Sequence, residues 1–167
     1  MPRLIKLEAG EFIAVDDPFT AVADDQDTPD GDVILSFTRF QAEGEALLSQ
    51  GRRVGVRLEP DEAVEALAYD LARLSVVALA FPKFRDGRAF TSAHVLSQRL
   101  GYQGEIRAVG DVLRDQAGFM VRCGFTSFEP ADGSDPDQWA QAVLRHRHVY
   151  QRAADLRAPA FEERQGG

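Results

Sequence analysis

Residues 76–81 read VVALAF, six apolar residues in succession with no polar position among them. A half-buried strand alternates apolar with polar, and an amphipathic helix spaces its apolar residues three and four apart. An unbroken run of strand length therefore belongs to a strand buried on both faces. Such strands occur in parallel sheets whose crossovers cover them with helices. The expected fold class is α/β, a mainly parallel sheet of repeated strand-helix units with VVALAF as an interior strand.

The flanking sequence repeats the unit. Strands begin near Val54 (VGVRLEP), Val76, Glu105 (EIRAVG) and Phe125 (FTSFE), 20 to 30 residues apart, the interval that right-handed strand-helix-strand crossovers need. In the stretch 61–74, Val64, Leu67, Ala68, Leu71 and Leu74 form a helical stripe, with Asp61 and Glu62 in its first turn. In 87–101 the stripe is Phe90, Ala93, Leu96 and Leu100, with Gly101 as the stop. DVLRDQAGFMVRCG supplies a third helix. SDPDQWAQAVLRHRHVYQR supplies a fourth, capped by Ser134 or Asp135 with Pro136 in its first turn. Upstream, RLIKLEAGEFIAV predicts two strands, Leu4 to Leu7 and Glu11 to Val15, in an N-terminal β-hairpin at a sheet edge. VILSFTRF predicts a strand and QAEGEALLSQG a short helix closed by Gly51. Two closures fit this order, an open three-layer sheet and a partial barrel.

The formal charge of −8 is local: seven aspartates and no Lys or Arg fall between Asp16 and Asp32. The rest of the chain is close to neutral. Residues 16–32 are expected to be a mobile, solvated acidic loop, with an arm that docks on a basic partner as the alternative. Residues 1–156 are read as a single α/β domain and 157–167 as a frayed tail. No basic stripe suits a nucleic acid, and no apolar run suits a membrane. With one cysteine and no signal-peptide pattern, the cytoplasm is the expected location.

Parallel α/β sheets gather ligands outside the carboxyl ends of their strands. Here VVALAF empties into FPKFRDGRAF, and EIRAVG into DVLRDQ. Lys83, Arg88, Arg107 and Arg114 are the candidate cations for a small oxyanion, with Asp86 and Asp111 orienting them or capping the following helices. Two other arrangements compete: salt-bridged turns without a ligand, and a protein-docking rim. Cys123 reads as a buried structural thiol. His94 reads as exposed, and His146 as a core-edge residue that, two positions from His148, diverges too far to share a metal ion with it. Dinucleotide, phosphate-loop and nucleophile-elbow glycine motifs are all missing, so no cofactor and no catalytic residue is assigned.

FPKFRDGR and RAVGDVLRDQ, within residues 81–125, closely resemble a bacterial family labelled "oxidoreductase probably involved in sulfite reduction". Its members are often encoded beside an assimilatory sulfite reductase. The resemblance implies a place in sulfur assimilation, with sulfite reductase as partner and sulfite or sulfate as the anion. A sulfite reductase needs multi-electron machinery such as an iron-sulfur cluster, which a single cysteine cannot ligate by thiolates alone. The implied role is that of an accessory, either handling the oxyanion or docking on the reductase as a non-catalytic assembly partner.

Overall fold

The computed structural model describes residues 3–82 and 87–145. A hairpin of β1 (Arg3–Glu8) and β2 (Glu11–Asp16) turns at Ala9 and Gly10, both at positive φ. Then come β3 (Phe19–Ala21), β4 (Asp32–Ser36), β5 (Val54–Leu58), β6 (Val76–Phe81), β7 (Glu105–Gly110) and β8 (Ser127–Phe128). All eight form one sheet in the order β2-β1-β8-β7-β6-β5-β4-β3. From β3 to β8 every neighbouring pair is parallel, while β1 runs antiparallel to both β2 and β8.

VVALAF is β6, interior and buried at every position. Its two faces are covered differently. Val77, Leu79 and Phe81 share one core with the helical residues Phe40, Leu67, Ala93, Met120 and Trp139. Val76, Ala78 and Ala80 instead meet Phe19, Ile34 and Val109, all from strands. Helices therefore cover one face, and the sheet rolls over to cover the other. This corrects the expectation of helices on both faces. Consecutive strands are also neighbours in space, so crossovers of one hand all fall on one side.

Chain connectivity makes the roll necessary. Laid flat, β2 and β3 at the two edges of an eight-stranded sheet would lie about 34 Å apart at about 4.8 Å per strand. Only Asp17 and Pro18 join them, a reach of about 11 Å at most. The result is a curled half-barrel, the second of the two closures that the sequence left open.

Segment 61–74 is not the expected α-helix but two 3-10 turns, Val64–Leu67 and Leu71–Arg73. Val64, Leu67, Leu71 and Leu74 are buried as the stripe requires, whereas its fifth member, Ala68, is exposed. The pairs 64/67 and 71/74 are three apart, and a three-residue turn aligns such pairs as well as an α-helix does. After β4, Ser36 ends the strand earlier than expected by accepting the Arg39 N–H at 3.2 Å, which starts α1 (Phe37–Ser49). Helix α2 (Arg88–His94) runs on into a π-helical turn, Val95–Arg99. Helix α3 (Ala117–Cys123) follows a 3-10 turn at Arg114–Gln116. Helix α4 (Pro136–Arg145) opens on a reciprocal cap: Gln138 N–H donates to Asp135 Oδ1 at 2.9 Å, and Asp135 N–H to Gln138 Oε1 at 3.0 Å.

Within the acidic segment, β3 buries Phe19. Arginines from outside tie the rest down: Arg39 donates to the Ala23 carbonyl and Thr28, Arg52 to the Gly31 and Pro29 carbonyls, and Arg53 to Asp32. His94 is exposed; Cys123 is half-buried against the core, and burial pushes its thiol pKa up. His146, His148 and the tail lie outside the described residues. Among the described residues no helix is long and apolar enough to cross a membrane.

Candidate functional site

One row of residues crosses the concave face of the sheet. Strand register places Ile13, Lys6, Ser127, Arg107, Ala78, Arg57 and Ser36 side by side. Glu105 sits two residues before Arg107, and Glu129 two after Ser127, so both share that face. Asp17 enters from the β2–β3 link. This puts Arg107 at the centre of three carboxylates.

The guanidinium is bonded on all sides. Its two terminal nitrogens donate to the two oxygens of Asp17 at 2.7 and 3.1 Å, a bidentate fork. Nε donates to Glu105 Oε2 at 2.9 Å, and a longer contact of 3.4 Å reaches Glu129. Glu105 is held in turn by Lys6 at 3.1 Å and by the Ser127 hydroxyl at 2.7 Å. The Phe19 ring lies 5.9 Å from the guanidinium carbon. Arg107 exposes only 1% of its side chain, Asp17 14%, Glu105 12% and Glu129 38%. Burial opposes the Arg107 charge, but the Asp17 hydrogen bonds and the Glu105 and Asp17 charges outweigh it and raise its pKa. Burial raises the Glu129 pKa, and the Arg107 charge and hydrogen bond only partly offset it.

The other candidates stand elsewhere. Arg88, the first residue of α2, lines a groove of about 320 Å³ with Pro60, Glu62, Glu65, Thr91 and Ser92. Arg114 reaches Asp132, after β8, at 3.3 Å, and both are about a third exposed or more. Asp111 follows β7, six residues before α3, and its backbone N–H donates to the Phe81 carbonyl at 2.6 Å, fastening the turn after β7 to the end of β6. Gly110 makes that turn possible: its φ is +91°, and a Cβ there would lie 2.6 Å from the Phe81 carbonyl oxygen. Lys83 and Asp86 lie outside the described residues. Arg57, two strands from Arg107 on the same row, pairs with Glu59 at 3.0 Å.

The sequence reading missed the partners of Arg107. Glu105 carried a usable signal, since residues two apart on one strand share a face. Asp17 carried none, because only the roll of the sheet brings it to Arg107.

Residues 55–161, most of the chain, match the model of a family described as bacterial protein of unknown function (DUF934). The matched stretch starts within β5 and leaves β1 to β4, with Lys6 and Asp17, outside it. No curated protein matches the chain.

Proposed function

The chain belongs to this bacterial family, and we propose that it serves assimilatory sulfite reduction as a non-catalytic docking or assembly partner of sulfite reductase. The observation that favours docking over anion handling is the state of Arg107. Every arm of its guanidinium is taken by a carboxylate, and the side chain is closed to solvent. Sulfite entering there would have to displace Asp17 and would still face Glu105 and Glu129, a like-charge arrangement that opposes binding. The link to sulfite reduction rests on the resemblance carried by FPKFRDGR and RAVGDVLRDQ.

Deleting the gene and growing the cells on sulfate, sulfite or cysteine as sole sulfur source tests the pathway. The expected result is slow growth on sulfate and sulfite, with normal growth on cysteine. Equal growth on all three overturns the reading. Calorimetric titration of the protein with sulfite separates the two accessory roles: docking predicts no binding heat at millimolar concentration, whereas saturable binding lost in Arg107→Ala restores the anion site.

A further inference from the structure

The crossover between β5 and β6 leaves the helical layer thin. An α-helix with its side chains is about 10 Å across and would fill the space between α1 and α2. The two 3-10 turns do not, and grooves lie along the crossover. One, about 500 Å³, is lined by Ala68, Leu71, Leu74, Leu100 and Tyr102 among others. A second, about 220 Å³, lies against α1 between Phe40 and Ala66. A third is the groove beside Arg88.

Tyr69 stands on the turn between these grooves with 99% of its surface exposed. A tyrosine so placed leaves a large apolar ring in water, and interface hot spots are enriched in such residues. The charge of its own segment has one sign, and among the described residues Arg88 of α2 is the one cation lining the groove of Asp61, Glu62 and Glu65. From Glu59 to Ala72 the sequence holds five acidic residues and no Lys or Arg. Arg57 and Arg73, at the two ends, are taken up by Glu59 and by Asp70 with Glu45. Asp61, Glu62 and Glu65 form no ion pair among the described residues, and Asp61 and Glu65 are exposed.

We infer that this face, with Tyr69 as its anchor and the apolar groove beside it, is the surface that docks on sulfite reductase, against a basic patch bearing an apolar contact. This rests on the docking role proposed above and names its surface. Charge decides the occupant. A second copy of this chain would set the same acidic patch against itself across a twofold axis, where like charges oppose association. A Lys- or Arg-rich surface neutralises Asp61, Glu62 and Glu65 while Tyr69 supplies apolar contact.

The test measures binding of the full chain to purified sulfite reductase from the same bacterium, by interferometry at low and at high salt. The variants are Tyr69→Ala, the triple Asp61→Lys, Glu62→Lys, Glu65→Lys, and the control Leu144→Ala, which alters an exposed apolar residue on α4. Circular dichroism melts check that each folds. The expected result is salt-sensitive binding, weakened at least about 10-fold by Tyr69→Ala, as for a hot-spot residue, lost in the triple variant and unchanged in the control. Binding that the variants retain in full overturns the assigned face and leaves the docking role standing. No binding by the wild type at tens of micromolar overturns both. Sedimentation as a dimer that Tyr69→Ala converts to monomer overturns the inference in favour of self-association.

Discussion

Replacing Arg107 with Met keeps an unbranched side chain in the concave face and removes the charge. The losses can be apportioned from the contacts. Glu105 retains Lys6 and the Ser127 hydroxyl, and Glu129, 38% exposed and 3.4 Å away, loses little. Asp17 loses both arms of the fork and keeps only the Phe19 N–H at 3.0 Å. The cost is thus mainly one buried carboxylate stripped of its counter-charge. Removing one member of a buried pair typically costs about 3–5 kcal/mol, and the partial exposure of Asp17 points to the lower end. For a domain of this size that corresponds to a fall of about 6–12 °C in Tm, at about 2–4 °C per kcal/mol. Urea unfolding followed by tryptophan fluorescence measures it directly. Adding Asp17→Asn to the variant should recover part of the loss. A deficit under about 1 kcal/mol, the range of an exposed ion pair, or one that Asp17→Asn does not reduce, refutes the argument that Arg107 neutralises the interior.

Gly110→Ala forces a Cβ to 2.6 Å from the Phe81 carbonyl at a φ of +91°; thermal melting should show a loss of more than about 2 kcal/mol, since backbone strain of about 1–3 kcal/mol is joined by a clash. Ser134→Ala strands the indole N–H of the fully buried Trp139, now 2.8 Å from the Ser134 hydroxyl, and urea unfolding should register about 1–3 kcal/mol. Glu129→Gln should flatten the pH profile of stability. Burial raises the Glu129 pKa above the usual 4.5, so its contribution is present below that value and is lost as pH rises through the folded-state pKa. Melts from about pH 4 to about pH 7 should therefore show the variant losing less stability than the wild type across this carboxylate range.

What could be read from the sequence was whatever depends on neighbours in the chain. VVALAF announced an interior strand because burial on both faces removes the alternation, and Asp135 with Pro136 announced α4 because a cap is a local device. Segment 61–74 was ambiguous on physical grounds: its buried positions suit a 3-10 turn and an α-helix equally. The acidic stretch concealed β3, whose three residues hold Phe19 among aspartates. The candidate cations were legible as residue types but not as partners, since the ion pair that closes Arg107 spans 90 positions. Charge composition cast Asp17 as a solvated residue, whereas the rolled sheet makes it the counter-ion of a buried arginine.

Strand β1 pairs on one side with β2, close behind it in the chain, and on the other with β8, near residue 127. During synthesis the hairpin can form as soon as it leaves the ribosome, but its place in the sheet does not exist until almost the whole domain has emerged. Until then Ile5 and Leu7 have no core to enter. The cost of closing so long a loop is also met before the contacts that reward it, which slows folding. Strand β1, made before the other seven, is thus the last to be seated, and clipping it from the finished protein would open the edge of β8 to pairing with another chain.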